Sequence, residues 1–165
     1  MKALVVVYSR SGRTLEVGRR IAEELSADLE IIEERQSRKG IFGFVRSGYE
    51  ALRKKTPPIA EPKRDPRDYD IVIAGSPIWA GRMASPIRTY LSRFGGIFRQ
   101  GAFFCTSSSG KNAAALTEMG RVASGEPKAT MEISKRQLKE GTASGVIARF
   151  VERIQEGIAE GEPPS

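Results

Sequence analysis

Apolar, β-branched runs alternate along this chain with segments of helical periodicity, and that alternation leaves few architectures open. Ala3–Tyr8 (ALVVVY) is continuously apolar, as in a strand buried on both faces. Leu15, Gly18, Ile21, Ala22 and Leu25 then recur at helical spacing. Leu29–Glu33 alternates like a strand nearer an edge, and Ile41, Phe44, Val45, Gly48, Tyr49 and Leu52 give a second helix its stripe. The proline-rich KKTPPIAEPKRDPRDYD breaks the pattern as a long surface connection. Strands follow at Ile71–Ala74, Ala102–Cys105 and Ala129–Ile133, and helices at Pro86–Phe94, Ala113–Val122 and Ala143–Ile158. Five strands alternating with five helices predict an α/β fold with a parallel sheet between two helical layers. Ligands bind such sheets at the carboxyl ends of the strands, so the loops after the first, third and fourth strands are to be read together.

The 165 residues suit one domain over residues 1–160 with a short tail, 161–165. No run is long enough to span a membrane, the leading apolar run lacks a signal-peptide cleavage site, and Cys105 is the sole cysteine; a cytoplasmic protein is expected. The absence of histidine removes Ser-His-Asp and Cys-His catalysis and His-ligated zinc. The net charge of +7 is spread over Arg19-Arg20, Arg53-Lys54-Lys55, Lys63-Arg64 and Lys135-Arg136. These pairs and triplets read mainly as solvated helix faces, and no nucleic-acid role is expected.

Three loops carry chemistry. Ser9-Arg10-Ser11-Gly12-Arg13-Thr14 places hydroxyls, a glycine and two arginines where the first strand turns into a helix. Backbone N–H groups at a helix start, with hydroxyls and guanidinium groups around them, suit a phosphate; a plain N-cap with solvent-facing arginines is the simpler alternative. Gly75–Pro86 (GSPIWAGRMASP) holds the only tryptophan directly after a buried strand. Trp79 there is either a platform for a flat ligand or a core side chain. Cys105–Asn112 (CTSSSGKN) offers small polar groups and a glycine, or an ordinary strand-to-helix turn. It is not a P-loop, because Cys105 and Asn112 occupy the first glycine and the Ser/Thr positions of G-x-x-x-x-G-K-[ST].

Taken together, the loops suit a phosphate, a planar ring and the ring's edge. The chain here resembles the flavodoxin family. Ser9, Ser11, Gly12 and Thr14 match its [ST]-x-[ST]-G-x-[ST] phosphate loop, and AGSPIWAGRMASPIRTYL looks like its third strand, flavin-flanking loop and following helix. The resemblance runs along the whole chain and is strongest over residues 3–22 and 70–94. It implies a three-layer, five-stranded parallel sheet of order 2-1-3-4-5 and FMN as cofactor. Ser9, Arg10, Ser11, Gly12, Arg13 and Thr14 would hold the phosphate. Pro77, Ile78, Trp79, Ala80 and Gly81 would flank the isoalloxazine, and Thr106, Ser107, Ser108 and Gly110 would line its other side or its pyrimidine edge.

Two departures bear on activity. The family's electron carriers are usually acidic, whereas this chain is basic, and TSSSGKN lacks the stacking aromatic and the acid usual in that loop. Both count against pure electron carriage, and an FMN-binding redox protein that transfers electrons to a partner protein or to a small-molecule acceptor is expected. An NAD(P)H- or quinol-linked FMN oxidoreductase acting on a small acceptor such as a quinone is the alternative, and a non-flavin regulatory module of the same fold is more distant. Phe42 lies off the second helix's stripe; a basic-faced packing helix is the simpler reading, and an interface or a rim over the flavin is the alternative.

Overall fold

The computed structural model describes residues 1–34, 45, 46, 49 and 53–159. The second helix expected over 41–52 falls largely outside these, as do Phe42 and the tail; Val45, Arg46 and Tyr49 are helical. Five parallel strands form the sheet: β1 (Ala3–Val7), β2 (Asp28–Ile31), β3 (Ile71–Trp79), β5 (Gly101–Ser107) and β6 (Thr130–Ser134). Their order is β2-β1-β3-β5-β6, with the two-residue β4 (Arg82–Met83) antiparallel to β3. Counting parallel strands alone, this is the expected 2-1-3-4-5 order.

Side chains of β1 alternate between two cores, as a pleated strand requires. Val5 and Val7 pack with α1 (Arg13–Leu25), and Leu4 and Val6 face the opposite core with α2 (Ser85–Phe94) and α3 (Ala113–Val122). A short α4 (Lys135–Glu140) precedes α5 (Ala143–Ala159), whose Ile147, Phe150, Val151 and Ile154 join α1 in the first core. The pattern of α1 is carried by Val17, Gly18, Ile21, Ala22 and Leu25. α4 was not legible in the hydrophobic pattern because none of its residues is buried; a reciprocal capping box between Ser134 and Gln137 starts it.

β3 runs beyond the expected Ile71–Ala74 to Trp79. Its end folds back through Ala80 (φ 48°) and Gly81 (φ 76°) onto Arg82–Met83, a two-residue hairpin with both central residues left-handed. Gly75 sits under the Phe104 ring, where a Cβ would lie 2.0 Å from ring carbon Cζ. Only glycine admits that contact between β3 and β5. Among the described residues, no helix is long and apolar enough to cross a membrane.

Candidate functional site

Sheet register gathers the three loops. Val7 pairs with Gly75, Pro77 with Thr106, and Ser107 with Ser134, so the chain leaves β1, β3 and β5 at one end of the sheet. Between these exits lies a cavity of about 600 Å³, lined by Arg10, Ser11, Arg13, Pro77, Ile78, Trp79, Ala80, Thr106, Ser107 and Ser108. Each was a candidate from sequence, and the lining contains no carboxylate. Ser9, Gly12, Thr14, Gly81 and Gly110, also candidates, do not line it. They shape the walls.

The first wall is the start of α1. Gly12 occupies the N-cap with φ 87°, and no side chain caps the helix. The N–H groups of the first turn therefore lack the side-chain acceptor of a plain N-cap. Two further donors are in the same condition: Ser9 Oγ and Arg13 Nη1 are buried and make no hydrogen bond. Arg13 is held in place by its Nε, which donates to Ser11 Oγ at 3.1 Å. Burying polar groups unpaired is costly. A cluster of unpaired donors at the positive end of a helix dipole could hold an anion.

Thr14 turns inward instead. It is 1% exposed, and its Oγ1 shares a hydrogen bond of 2.8 Å with Thr106 Oγ1, tying the first loop to β5. The hydroxyl expected to face phosphate is thus engaged as a strut between two walls.

The second wall is the hairpin. Ser76 Oγ donates to the Pro77 carbonyl at 2.8 Å and accepts from Ala84 N–H at 2.9 Å, closing the loop at its base. Trp79 is half-buried and lines the cavity, and it also packs edge-on against Tyr8, with ring centroids 5.5 Å apart and planes at 89°. Tyr8 in turn donates to Glu34 Oε2 at 2.7 Å. One portion of the tryptophan is thus packed and another lines the cavity. Tyr8 was read only as the last residue of a strand. Its place immediately before Ser9 was the available signal.

Glu118 on α3, 5% exposed, braces the hairpin from behind. Its Oε1 lies 3.3 Å from Arg82 Nη1 and 3.7 Å from Lys54 Nζ, and its Oε2 lies 3.1 Å from Nη2 of the buried Arg88. Sequence reading missed Glu118, since an isolated acid on an amphipathic helix looks solvent-facing.

The third wall is braced by Glu132. Its carboxylate accepts from Asn112 N–H at 3.0 Å, from the Asn112 side-chain amide, and from Ser107 Oγ at 3.3 Å. Ser107 Oγ also accepts from Gly110 N–H at 2.9 Å, which sets the turn with Gly110 at φ 70°. Asn112 stands at the N-cap of α3 but makes no capping bond; its side-chain amide donates to Glu132. Beneath this wall, Cys105 is fully buried, and burial, with the Glu132 charge adding, pushes its thiol up to about 12.

No protein-family model matches the chain. Solved structures do. A flavoprotein from Lactobacillus acidophilus NCFM, crystallised with FMN, superposes with a TM-score of 0.69 at 23% identity, covering 84% of this chain and 97% of its own. A Bacteroides eggerthii protein assigned as a flavoprotein gives a TM-score of 0.72 at 20% identity over 87% of this chain and 96% of its own. A flavodoxin, WrbA-like protein from Agrobacterium tumefaciens gives 0.55 at 16% identity over 94% and 98%. Strand order, the clustering of three loops at one sheet end and these superpositions agree: this chain has the flavodoxin-like fold.

Proposed function

We propose that the chain binds FMN and works as a flavin redox protein. One observation carries this reading: two buried donors without a hydrogen bond, Ser9 Oγ and Arg13 Nη1, stand at the start of α1, and Arg13 lines a cavity that Trp79 also lines. An anion at one end and a flat, largely apolar body at the other is the outline of a flavin mononucleotide, and about 600 Å³ falls in the usual range for small-ligand sites. The Lactobacillus acidophilus relative of the same fold was crystallised with FMN. When bound, FMN supplies one- and two-electron chemistry. The chain's own groups do the rest. The α1 start and Arg13 hold the phosphate, the hairpin and Tyr8 fix Trp79 beside the ring, and the Thr14–Thr106 strut keeps the walls at a constant spacing.

The test is a comparison of FMN with riboflavin. FMN should bind at least tenfold more tightly, because charge-assisted hydrogen bonds to phosphate contribute about 1.5–3 kcal/mol each. It should also quench the emission of Trp79, the only indole in the chain. Equal affinities, or emission unchanged at saturation, would refute the assignment.

A second reading concerns the acceptor. From β5 and the loop after it the cavity takes Thr106, Ser107 and Ser108, none of them aromatic. Small side chains there leave room for a second flat molecule, as an NAD(P)H- or quinol-linked reductase acting on quinones needs. Steady-state turnover with NADH or NADPH and a quinone separates this enzyme from a carrier, which would require a protein partner.

A further inference from the structure

Beside the cavity the surface changes character. Arg46, Arg53, Lys54 and Lys55 line an open basin with no carboxylate in its described lining. Two large apolar side chains stand out of the same region: Val45 is 65% exposed and Tyr49 52%. Arg53 and Lys55 both lie over the Tyr49 ring, 5.7 and 5.6 Å from its centroid. Exposed tyrosine flanked by arginine, beside an exposed aliphatic, is the composition of a protein interface more than of a plain solvated face. The basin is linked through Glu118 to the hairpin that walls the cavity. Lys54 and Arg82 both reach Glu118 Oε1, and Arg82 pairs across the hairpin with Trp79. Glu118 is matched by the buried Arg88, which leaves Lys54 and Arg82 as surplus positive charge behind the hairpin.

We infer that this face docks an acidic protein surface, that of a redox carrier whose centre would then lie next to the cavity. The identification of the partner as a redox protein rests on the flavin reading above; the docking itself does not. The basin's cations are exposed and splayed along a surface. They do not converge from buried positions, as a built phosphate site would require. Exposed rim charges of one sign chiefly steer encounter with a macromolecule of the opposite sign, and an aromatic at their centre holds the complex once formed. The basin lies at Arg46 and residues 53–58, against the same helical layer as Glu118 and Arg88, and α5 lies in the opposite layer.

The experiment uses the purified full chain and a purified acidic [2Fe–2S] ferredoxin as probe, with association and dissociation rates measured from low to high salt. Arg53→Glu/Lys55→Glu is compared with Arg149→Glu/Arg153→Glu on α5, which changes the net charge equally. The basin pair should slow association at low salt by about tenfold or more, the α5 pair by less than about threefold, and the difference should vanish at high salt. Tyr49→Ala should speed dissociation severalfold with little change in association, and it keeps the test open if the double reversal does not fold. Equal slowing by the two pairs would reduce the effect to net charge and overturn the proposal. So would undetectable ferredoxin binding at low salt, or basin-dependent binding of a single-stranded oligonucleotide tighter than that of ferredoxin. FMN affinity, measured on the same samples, fails or holds independently of all three outcomes.

Discussion

Ser9→Ala separates stability from binding, because its two effects have opposite signs. In the free protein Ser9 Oγ is shielded from solvent and makes no hydrogen bond. A buried hydroxyl in that condition carries a desolvation cost of about 1–3 kcal/mol. Ser9 as a residue is only half-buried, so the lower end applies, and removing the hydroxyl should stabilise the ligand-free chain by about 1 kcal/mol. If the same hydroxyl donates to the FMN phosphate, its loss costs a charge-assisted bond of about 1.5–3 kcal/mol, or FMN affinity lower by roughly 10- to 150-fold. Riboflavin has no phosphate, and its affinity should move by less than about twofold. Urea denaturation of ligand-free protein gives the first quantity, and quenching of Trp79 by each flavin gives the others. Lower stability with unchanged FMN affinity would mean that Ser9 serves the local turn and faces no anion, and the phosphate assignment at the start of α1 would fall with it.

Thr14→Ala should instead lower both quantities, because it strands the buried Thr106 hydroxyl at the other end of a 2.8 Å bond; expect about 1–3 kcal/mol less stability by denaturation and weaker flavin binding. Ala80→Gly relieves a left-handed alanine at φ 48° and should raise the denaturation midpoint by an amount equivalent to about 1 kcal/mol. Cys105 has its folded pKa raised to about 12 from 9.0, so its contribution to stability is complete below pH 9 and is lost as pH climbs from there toward 12. Denaturation midpoints should fall between pH 9 and 11, by up to about 1.4 kcal/mol per pH unit for this one group; Cys105→Ala should flatten that slope, and the native thiol should resist alkylation at pH 8.

Much of this was legible from spacing. The strand–helix alternation is a direct record of which faces are buried, and the Ser9–Thr14 corner joins β1 to α1 by local chemistry alone. What escaped reading depends on contacts between distant residues. Extension of β3 to Trp79 follows from the Ala80–Gly81 hairpin, and nothing about an alanine announces a positive φ. Thr14 reads as one more phosphate-facing hydroxyl until Thr106, 92 residues later, is brought opposite it. Glu118 gains its meaning only when Arg82, Arg88 and Lys54 converge on it from three other segments.

The same 92-residue separation sets an order of events. Contacts between remote residues must wait until the intervening chain has been drawn in, and parallel strands joined by long crossovers are slow to assemble. The Thr14–Thr106 bond can close only after β1, β3 and β5 are in register, so the cavity is among the last features of the chain to form. A molecule that fits it meets no partly folded intermediate to assist. It acts on the finished state alone, slowing unfolding and deepening the native basin by mass action while leaving the rate of folding as it was.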